Sequence, residues 1–264
     1  MDYERRLEFI VGEEAEFLCR TPDARWNDFL QQMGVKIVAS LPTAQARSFV
    51  LSHSSLFVFT DRFILLTCGE VCLLKGLQFL KTELRCEAIG INLQYRCLKG
   101  GLAIDELDYE QMALAESFDG EMRLRTSADH FTMNLRWERM GSYIPSQPFR
   151  YVVLSEISEP VSRAFQGEAK HVAKDALKQI LPGFSTQDYT FIPPGYSLNA
   201  VRGTEYYAIH LGFDSGEPIV TVELGISDLD QADFFTRQVA NIFGARVQVI
   251  HDQVASSPVR RAVP

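Results

Sequence analysis

Two adjacent serines, Ser54 and Ser55, interrupt the apolar segment at residues 49–58. A purely structural strand would be continuously apolar there, or would alternate between apolar and polar residues. A serine hydroxyl can attack the carbonyl of the peptide bond before it and convert that bond to an ester. The pair therefore suggests a backbone bond that is built to break. A solvated strand edge is the structural alternative, and the pair alone does not exclude it.

Cleavage between His53 and Ser54 would turn Ser54 into a catalytic group. Elimination from the ester leaves a dehydroalanine, which hydrolyses to a pyruvoyl group at the start of a chain of residues 54–264. We expect the fragment 1–53 to stay bound to this chain. A pyruvoyl ketone forms a Schiff base with a substrate amine and accepts the electrons released when a carboxylate departs, as pyridoxal phosphate does. The expected reaction is amino-acid decarboxylation, assisted by oxyanion donors and by an acid that reprotonates the substrate carbon.

The composition of the chain excludes several other classes of function. With 264 residues, of which 46% are hydrophobic, the chain can bury a substantial core in one large domain or in two closely packed halves. The net charge of −8 and the lack of a basic run argue against nucleic acid as a partner. No apolar stretch approaches the roughly 20 residues of a membrane helix. The N-terminus is charged and lacks the apolar core of a signal peptide, so we expect a cytoplasmic protein without a membrane partner. The five cysteines show no metal-ligand spacing, and no metal is expected.

The hydrophobic pattern predicts strands, with helices between groups of strands. A change of period after Gly69 predicts a helix, and residues 102–119 are expected to form a loop or a short helix. The second half repeats the plan of the first, which predicts two pseudo-repeated halves, about 1–130 and 131–252, and a flexible tail at 253–264. The predicted strands cover 35–41, 47–60, 62–68, 86–97, 121–127, 130–137, 149–157, 196–201, 206–213, 219–226 and 246–251, and the further helices cover 167–181 and 229–243.

Four motifs follow one another along the chain in an order that is typical of one family. They are the serine-pair segment, then Cys68-Gly-x-x-x-Leu-Leu-Lys, then Pro193-Pro-Gly-Tyr-Ser-Leu-Asn199, and then Tyr207-Ala-Ile-His210. Together they resemble the eukaryotic-type S-adenosylmethionine decarboxylases, which are self-processing and pyruvoyl-dependent, and the resemblance covers roughly residues 3–252. It implies an α+β fold, a four-layer αββα sandwich of two antiparallel sheets with outer helices, internally duplicated.

The resemblance also implies roles for individual residues. Ser54 would be the precursor of the pyruvoyl group, and Cys68 would be the proton donor during decarboxylation. Ser197 and His210 would assist self-processing, with His210 acting on the ester. Glu4 would be an acid close to the reacting centre. Without the resemblance, Cys68 would be interpreted as a buried structural thiol and His210 as a core histidine.

Substrate binding is expected to involve three positions. Phe191 falls where the family stacks an aromatic ring on the substrate adenine, and Asp214 falls where an acid binds the ribose hydroxyls, although the family usually has the longer glutamate there. His53 replaces the glutamate that usually precedes the cleavage serine. Its imidazole titrates near neutral pH, so processing or substrate binding is expected to depend on pH.

A buried charge site is expected where animal members of the family bind the activator putrescine. In this chain Glu8 and Glu223 keep acidic positions of that site, whereas Arg136 falls at or near another. A built-in guanidinium could neutralise buried carboxylates as the diamine otherwise would. We therefore predict that putrescine does not activate the protein.

The N-terminal segment departs from the family pattern. If residues 3–9 form the family's first strand, the Phe-Glu pair that normally precedes it falls at or before Met1, and half of the adenine clamp is missing. Three explanations stay open: the natural start lies upstream, Phe9 takes over in a shifted register, or adenine is not held. A competing register matches Gly12-Glu13-Glu14 to the family's Gly-x-Glu, and a surface charge run would also explain those residues.

The favoured function is decarboxylation of S-adenosylmethionine to the aminopropyl donor for spermidine and spermine. A reshaped pocket would favour the first alternative, a pyruvoyl-dependent decarboxylase of arginine or another basic amino acid on the same fold. The second alternative is an uncleaved, non-catalytic regulatory paralogue. Retention of the four predicted processing and catalytic residues argues against that alternative, and a homodimer is compatible with all three functions.

Overall fold

The computed structural model describes residues 3–11, 17–52, 54–68, 71–97, 121–126, 132–139, 148–166, 170–192, 195–214 and 217–253. The predictions for His53, for residues 102–119 and for the tail beyond residue 253 lie outside the described residues.

The first half of the chain forms an eight-stranded antiparallel sheet in the order β2-β3-β4-β5-β1-β6-β8-β7. Strand β1 lies near its centre and pairs with both β5 and β6. The strands are β1 (Tyr3–Val11), β2 (Ile37–Pro42), β3 (Arg47–Leu51), β4 (Ser54–Val58), β5 (Arg62–Cys68), β6 (Ala88–Cys97), β7 (Glu121–Thr126) and β8 (Thr132–Glu138).

The second half forms a six-stranded antiparallel sheet in the order β10-β11-β12-β13-β9-β14. This order repeats the β2-β3-β4-β5-β1-β6 order of the first sheet. The change of sheet lies after Glu138, C-terminal to the division predicted at residue 130. The strands are β9 (Phe149–Ser155), β10 (Ser185–Phe191), β11 (Gly195–Arg202), β12 (Glu205–Asp214), β13 (Glu217–Gly225) and β14 (Val247–Gln253).

Helices connect equivalent strands in the two halves: α1 (Phe17–Arg20), α2 (Asp23–Gln32), α3 (Leu73–Thr82), α4 (Glu159–Gln166), α5 (Lys170–Gln179) and α6 (Leu229–Phe243). The bounds of α6 agree with the sequence prediction because both of its ends carry strong signals. Asp228 accepts hydrogen bonds from two backbone N–H groups of the first turn, and Gly244 ends the helix with a left-handed φ of +58°. The sequence analysis missed α1, α2, α4 and β10, none of which is longer than ten residues.

The prediction of one strand at residues 47–60 was wrong. Strand β3 ends at Leu51 and β4 begins at Ser54, and these two residues pair directly in an antiparallel hairpin. The connection contains no glycine, proline or asparagine, and the serines at positions 52, 54 and 55, which can also mark a turn, were assigned to the strand. The predicted cleavage bond therefore lies where β3 connects to β4.

Three separate clusters of buried apolar side chains show that the fold has four layers. One cluster fills the space between the first sheet and helices α2 and α3, and it includes Phe9, Trp26 and Leu77. A second lies between the second sheet and helices α4, α5 and α6. A smaller cluster, with Phe57 and Tyr206, lies between the two sheets. These layers confirm the predicted αββα sandwich.

Buried charges fill much of the remaining space between the sheets. Arg6 Nε of β1 lies 2.8 Å from Glu223 Oε1 of β13, and Arg96 Nη1 of β6 lies 2.6 Å from Glu223 Oε2. The Tyr206 hydroxyl donates to Glu223 Oε1 at 2.5 Å. Each charged side chain in this group is at most 4% exposed. We call Arg6, Arg96, Tyr206 and Glu223 the inter-sheet charge cluster.

Replacing Glu223 by glutamine is expected to lower the free energy of unfolding by about 3 kcal/mol at neutral pH, because the buried Arg96 and Arg6 guanidinium groups each lose an ion pair, although Arg6 keeps its pair with Glu8. Burial alone would raise the pKa of Glu223, but Arg96 and Arg6 outweigh it and hold that pKa below its ordinary value of 4.5. The stabilisation is therefore complete above the ordinary pKa and is lost as the pH falls through the lower pKa of the folded protein.

Urea titrations from neutral to acidic pH measure this effect, and the difference between wild type and variant should shrink as the pH falls. Glu159→Gln is the matched control, since Glu159 pairs with Arg163 on the surface, where ion pairs contribute little. Equal stability of Glu223→Gln and wild type at neutral pH would contradict the prediction.

Candidate active site

The two adjacent serines of β4 lie on opposite faces of the first sheet. Side chains alternate along a strand, and Leu56 and Val58 pack against the helix layer whereas Phe57 faces the second sheet. Ser54 therefore lies on the helix-facing side, and Ser55 faces the second sheet. Ser54 is 3% exposed, and within the described part of the chain its hydroxyl has no hydrogen-bond partner.

Ser55, not Ser54, contacts the predicted processing histidine. Ser55 Oγ lies 2.7 Å from His210 Nε2 and 2.5 Å from Asn199 Oδ1. Asn199 Nδ2 in turn donates to the carbonyl oxygen of Phe49 at 2.9 Å. These bonds join β3 and β4 of the first sheet to β11 and β12 of the second. In the uncleaved chain the His210 ring is thus hydrogen-bonded to residue 55.

Glu4 and Cys68 lie next to each other, because they pair directly between β1 and β5. The Thr221 hydroxyl of β13 donates to Glu4 Oε1 at 2.7 Å, which places the carboxylate between the two sheets. Burial and then the nearby Glu4 charge raise the pKa of the Cys68 thiol to about 12. At neutral pH the sulfur therefore carries its proton, as a proton donor requires and a nucleophile does not.

Ser197 lies beside His210, since the two residues pair directly between β11 and β12. Burial lowers the pKa of His210, and the Glu4 and Glu223 charges oppose this shift only in part. The imidazole is therefore neutral at neutral pH, and one ring nitrogen keeps a lone pair that can accept a proton.

Phe191 lies at the end of β10, on the face that carries Ser197. Tyr189 pairs with Ser197 and Phe191 pairs with Gly195, so both aromatic rings face the first sheet. The two ring centroids are 4.9 Å apart with nearly perpendicular planes. Tyr189 is 41% exposed, and the pair therefore lines an accessible edge beside the site. Sequence reasoning found Phe191 and missed Tyr189.

Three of the predicted site positions are described only in part or not at all. The backbone of Asp214 ends β12 opposite Glu217, and the backbone of Arg136 lies in β8 opposite Asn92. The side chains of Asp214 and Arg136 lie outside the described part of the structure, as does all of His53.

Glu8 and Glu223, both predicted for the buried charge site, lie between the sheets and share Arg6. Glu8 Oε2 is 3.3 Å from Arg6 Nη1, and Glu8 Oε1 is 2.8 Å from Arg62 Nη1. Asn92 Nδ2 donates to Glu8 Oε2 at 3.0 Å. The guanidinium groups on these acids thus include Arg6, Arg62 and Arg96, which sequence reasoning missed. The alternation Glu4-Arg5-Arg6-Leu7-Glu8 in β1 was a signal for Arg6, since it puts Glu4, Arg6 and Glu8 on one face.

The site therefore combines a protonated thiol, a carboxylate and a neutral imidazole between two sheets, beside a serine pair at a strand start. This set can exchange protons with a substrate held there. Within the described ranges, no group of three His, Cys, Asp or Glu side chains could hold a metal ion. In the same part of the chain, no helix has the length and apolar character needed to cross a membrane.

Comparison with known proteins identifies related sequences. S-adenosylmethionine decarboxylase proenzymes from Trypanosoma brucei brucei, Ipomoea batatas and Xenopus laevis are 27%, 28% and 25% identical to the chain. These matches cover 79%, 81% and 85% of the chain, and 63%, 67% and 72% of the three relatives. The chain thus spans less than two thirds of the trypanosome enzyme.

A solved structure shares the fold. The crystal structure of Trypanosoma brucei AdoMetDC-delta26 monomer superposes with a TM-score of 0.56 at 20% identity, over 74% of this chain and 78% of that one. The family model for adenosylmethionine decarboxylase matches residues 3–97 and 125–255. Since these segments make up most of the sequence, the chain belongs to the adenosylmethionine decarboxylase family.

Proposed function

We propose that the chain is a self-processing proenzyme that cleaves itself between His53 and Ser54 and then decarboxylates S-adenosylmethionine. The product is the aminopropyl donor for spermidine and spermine. One observation carries the proposal: the Cys68 thiol, held protonated beside Glu4, lies in the same inter-sheet space as the neutral His210, next to the serine pair. The relatives named as decarboxylase proenzymes support the same reaction.

The residues present fit a pyruvoyl group derived from Ser54. The Ser54 hydroxyl is buried without a partner in the described structure, so no hydrogen bond opposes its use as a nucleophile on the preceding carbonyl. Ser54 also starts its strand, so a group formed there would be held by β4. Once formed, such a group supplies an electron sink for the bond that loses carbon dioxide.

Fragments 1–53 and 54–264 would stay associated after cleavage. The cut removes only the connection between β3 and β4, whereas β1 of the short fragment lies between β5 and β6 of the long one. Arg6 and Glu4 of the short fragment also bond Glu223 and Thr221 of the long one. Separation would expose these buried charges and apolar strands together, which is a large free-energy cost.

The chain's own side chains divide the proton transfers between them. Cys68 keeps its proton at neutral pH and would deliver it to the substrate carbon after carbon dioxide leaves. Glu4, whose carboxylate accepts a hydrogen bond from the Thr221 hydroxyl, would orient either the amine or the sulfonium group of the substrate. Phe191 and Tyr189 would stack on or flank the adenine, and Asp214 would accept hydrogen bonds from the ribose hydroxyls.

Self-cleavage is tested by denaturing mass spectrometry of wild type and Ser54→Ala. Wild type is expected to give residues 1–53 and a pyruvoyl-capped 54–264, and Ser54→Ala is expected to stay intact, because the variant lacks the hydroxyl that attacks the carbonyl. Carbon dioxide release is then measured with S-adenosylmethionine and with arginine. Carbon dioxide release from arginine but not from S-adenosylmethionine would favour the alternative function, decarboxylation of a basic amino acid. A wild-type chain that stays intact and inactive would favour the regulatory paralogue.

Cys68→Ala is expected to lower kcat by about 10²- to 10⁴-fold, because the substrate carbon loses its proton donor. The variant should still yield the two fragments, which separates this role from processing. Cys86→Ala is the matched control, since burial raises the pKa of Cys86 to about 12 as well but this thiol lies in the helix-facing core. Full activity of Cys68→Ala would contradict the assigned role.

Putrescine is expected to leave the rate of S-adenosylmethionine decarboxylation unchanged, because Arg6 and Arg96 already neutralise Glu223. Arg96→Leu is expected to be slower and to recover part of its rate with putrescine, since a diamine can pair with the carboxylate left behind. Arg139→Leu removes an exposed ion pair with Glu87 and serves as the control. Strong stimulation of wild type would contradict this role of the two arginines.

A further inference from the structure

Ser55 is completely buried, and its hydroxyl makes two hydrogen bonds across the sheets. Its oxygen lies 2.5 Å from Asn199 Oδ1 and 2.7 Å from His210 Nε2. A serine hydroxyl has a single proton, so it can donate to only one of these two groups.

The direction of each hydrogen bond follows from the orientation of the Asn199 amide. Asn199 Nδ2 donates to the Phe49 carbonyl oxygen at 2.9 Å, which leaves Asn199 Oδ1 facing Ser55. An amide oxygen only accepts, so the Ser55 hydroxyl must donate to Asn199. The Ser55 oxygen therefore accepts from His210, and Nε2 of His210 carries the hydrogen.

A neutral imidazole has one N–H group and one lone pair. Since Nε2 carries the hydrogen, Nδ1 of His210 carries the lone pair. The Ser55 hydroxyl faces the protonated nitrogen rather than the basic one, so His210 does not activate Ser55 as a nucleophile.

We propose that Ser55 is a positioning residue, which holds His210 in the Nε2–H tautomer and leaves Nδ1 as the base for self-processing. This inference rests on the proposed function, self-cleavage before Ser54. In that reaction Nδ1 takes the Cα proton of residue 54 from the ester. The electron pair of the C–H bond forms the Cα=Cβ bond, the Cβ–Oγ bond breaks, and the carboxylate of residue 53 leaves.

The role of Ser55 differs from that of Ser54 because the two side chains lie on opposite faces of β4. Ser54 faces the helix layer and supplies the hydroxyl that becomes the ester oxygen. Ser55 stays an ordinary serine in the product and keeps its bonds to the second sheet. A substitution at each position is therefore expected to give a different result.

Processing rates test the proposal first. Ser55→Ala is expected to slow the appearance of fragments 1–53 and 54–264 by about 10²-fold, because the imidazole loses the partner that fixes its basic nitrogen. Ser55→Thr keeps the hydroxyl and should recover most of the rate. Ser48→Ala is the matched control, since Ser48 is also fully buried on the inter-sheet face and, in the described structure, its hydroxyl has no partner.

The tautomer is measured directly by ¹⁵N NMR of the histidine side chains in an uncut Ser54→Ala background. His210 is assigned by the loss of its signals in His210→Gln. The expected spectrum has a protonated Nε2 and an unprotonated Nδ1, and addition of Ser55→Ala should mix the two tautomers. A merely structural role of Ser55 would change the urea midpoint without changing this ratio.

Two results would overturn the inference. One is an unchanged processing rate and tautomer in Ser55→Ala. The other is wild-type cleavage into 1–54 and 55–264, which would make Ser55 the nucleophile. A wild-type chain that is never cut would overturn the proposed function, and the base role of His210 with it. The NMR experiment would still decide whether Ser55 sets the tautomer, so the two failures are distinguishable.

Discussion

The pairing of Glu223 with Arg6 and Arg96 is the interaction on which the arrangement of the two sheets depends. A carboxylate buried between sheets is strongly destabilising unless it is paired, and both guanidinium groups come from the opposite sheet. A slip of one residue in β1 would turn Arg6 toward the helix layer and leave Glu223 without it. Charge compensation therefore favours one relative position of the sheets, which apolar packing alone specifies less strictly.

That position of the sheets also sets the geometry of the site. Glu4 and Arg6 are two residues apart on β1, and Thr221 and Glu223 are two residues apart on β13, so the bonds Glu4–Thr221 and Arg6–Glu223 lie side by side. The alignment of the sheets that neutralises Glu223 thus brings Glu4 to Thr221, while the pairing of β1 with β5 places Glu4 beside Cys68. The same stacking brings Ser55 to His210, so the charge cluster and the proton-transfer groups depend on one alignment.

The sequence predicted much of the fold because many strands alternate clearly. Strand β5 and helix α6 were predicted at the bounds found in the structure, and the duplication was visible as a repeated plan. The turn between β3 and β4 was missed because the polar cluster at residues 52–55, which contains three serines, was assigned to one continuous strand although serine clusters also mark turns. The bonds of Arg6 to Glu223 and of Ser55 to His210 join residues 217 and 155 positions apart, and no local pattern encodes such pairs. Which of two adjacent serines faces the second sheet depends on strand register, which only the folded hairpin fixes.

The contrast between Ser54 and Ser55 explains how one hairpin can serve two stages of a proenzyme. In the intact chain Ser54 is held on the helix-facing side by its pairing with Leu51 and Thr67. Cleavage before Ser54 would make residue 54 a chain end and release it from the connection to β3. Ser55 would stay fixed by Asn199 and His210, so the new end would remain next to the inter-sheet space that holds Cys68 and Glu4. The fold would then keep its layers while only its reactive terminus gains freedom to turn toward the substrate.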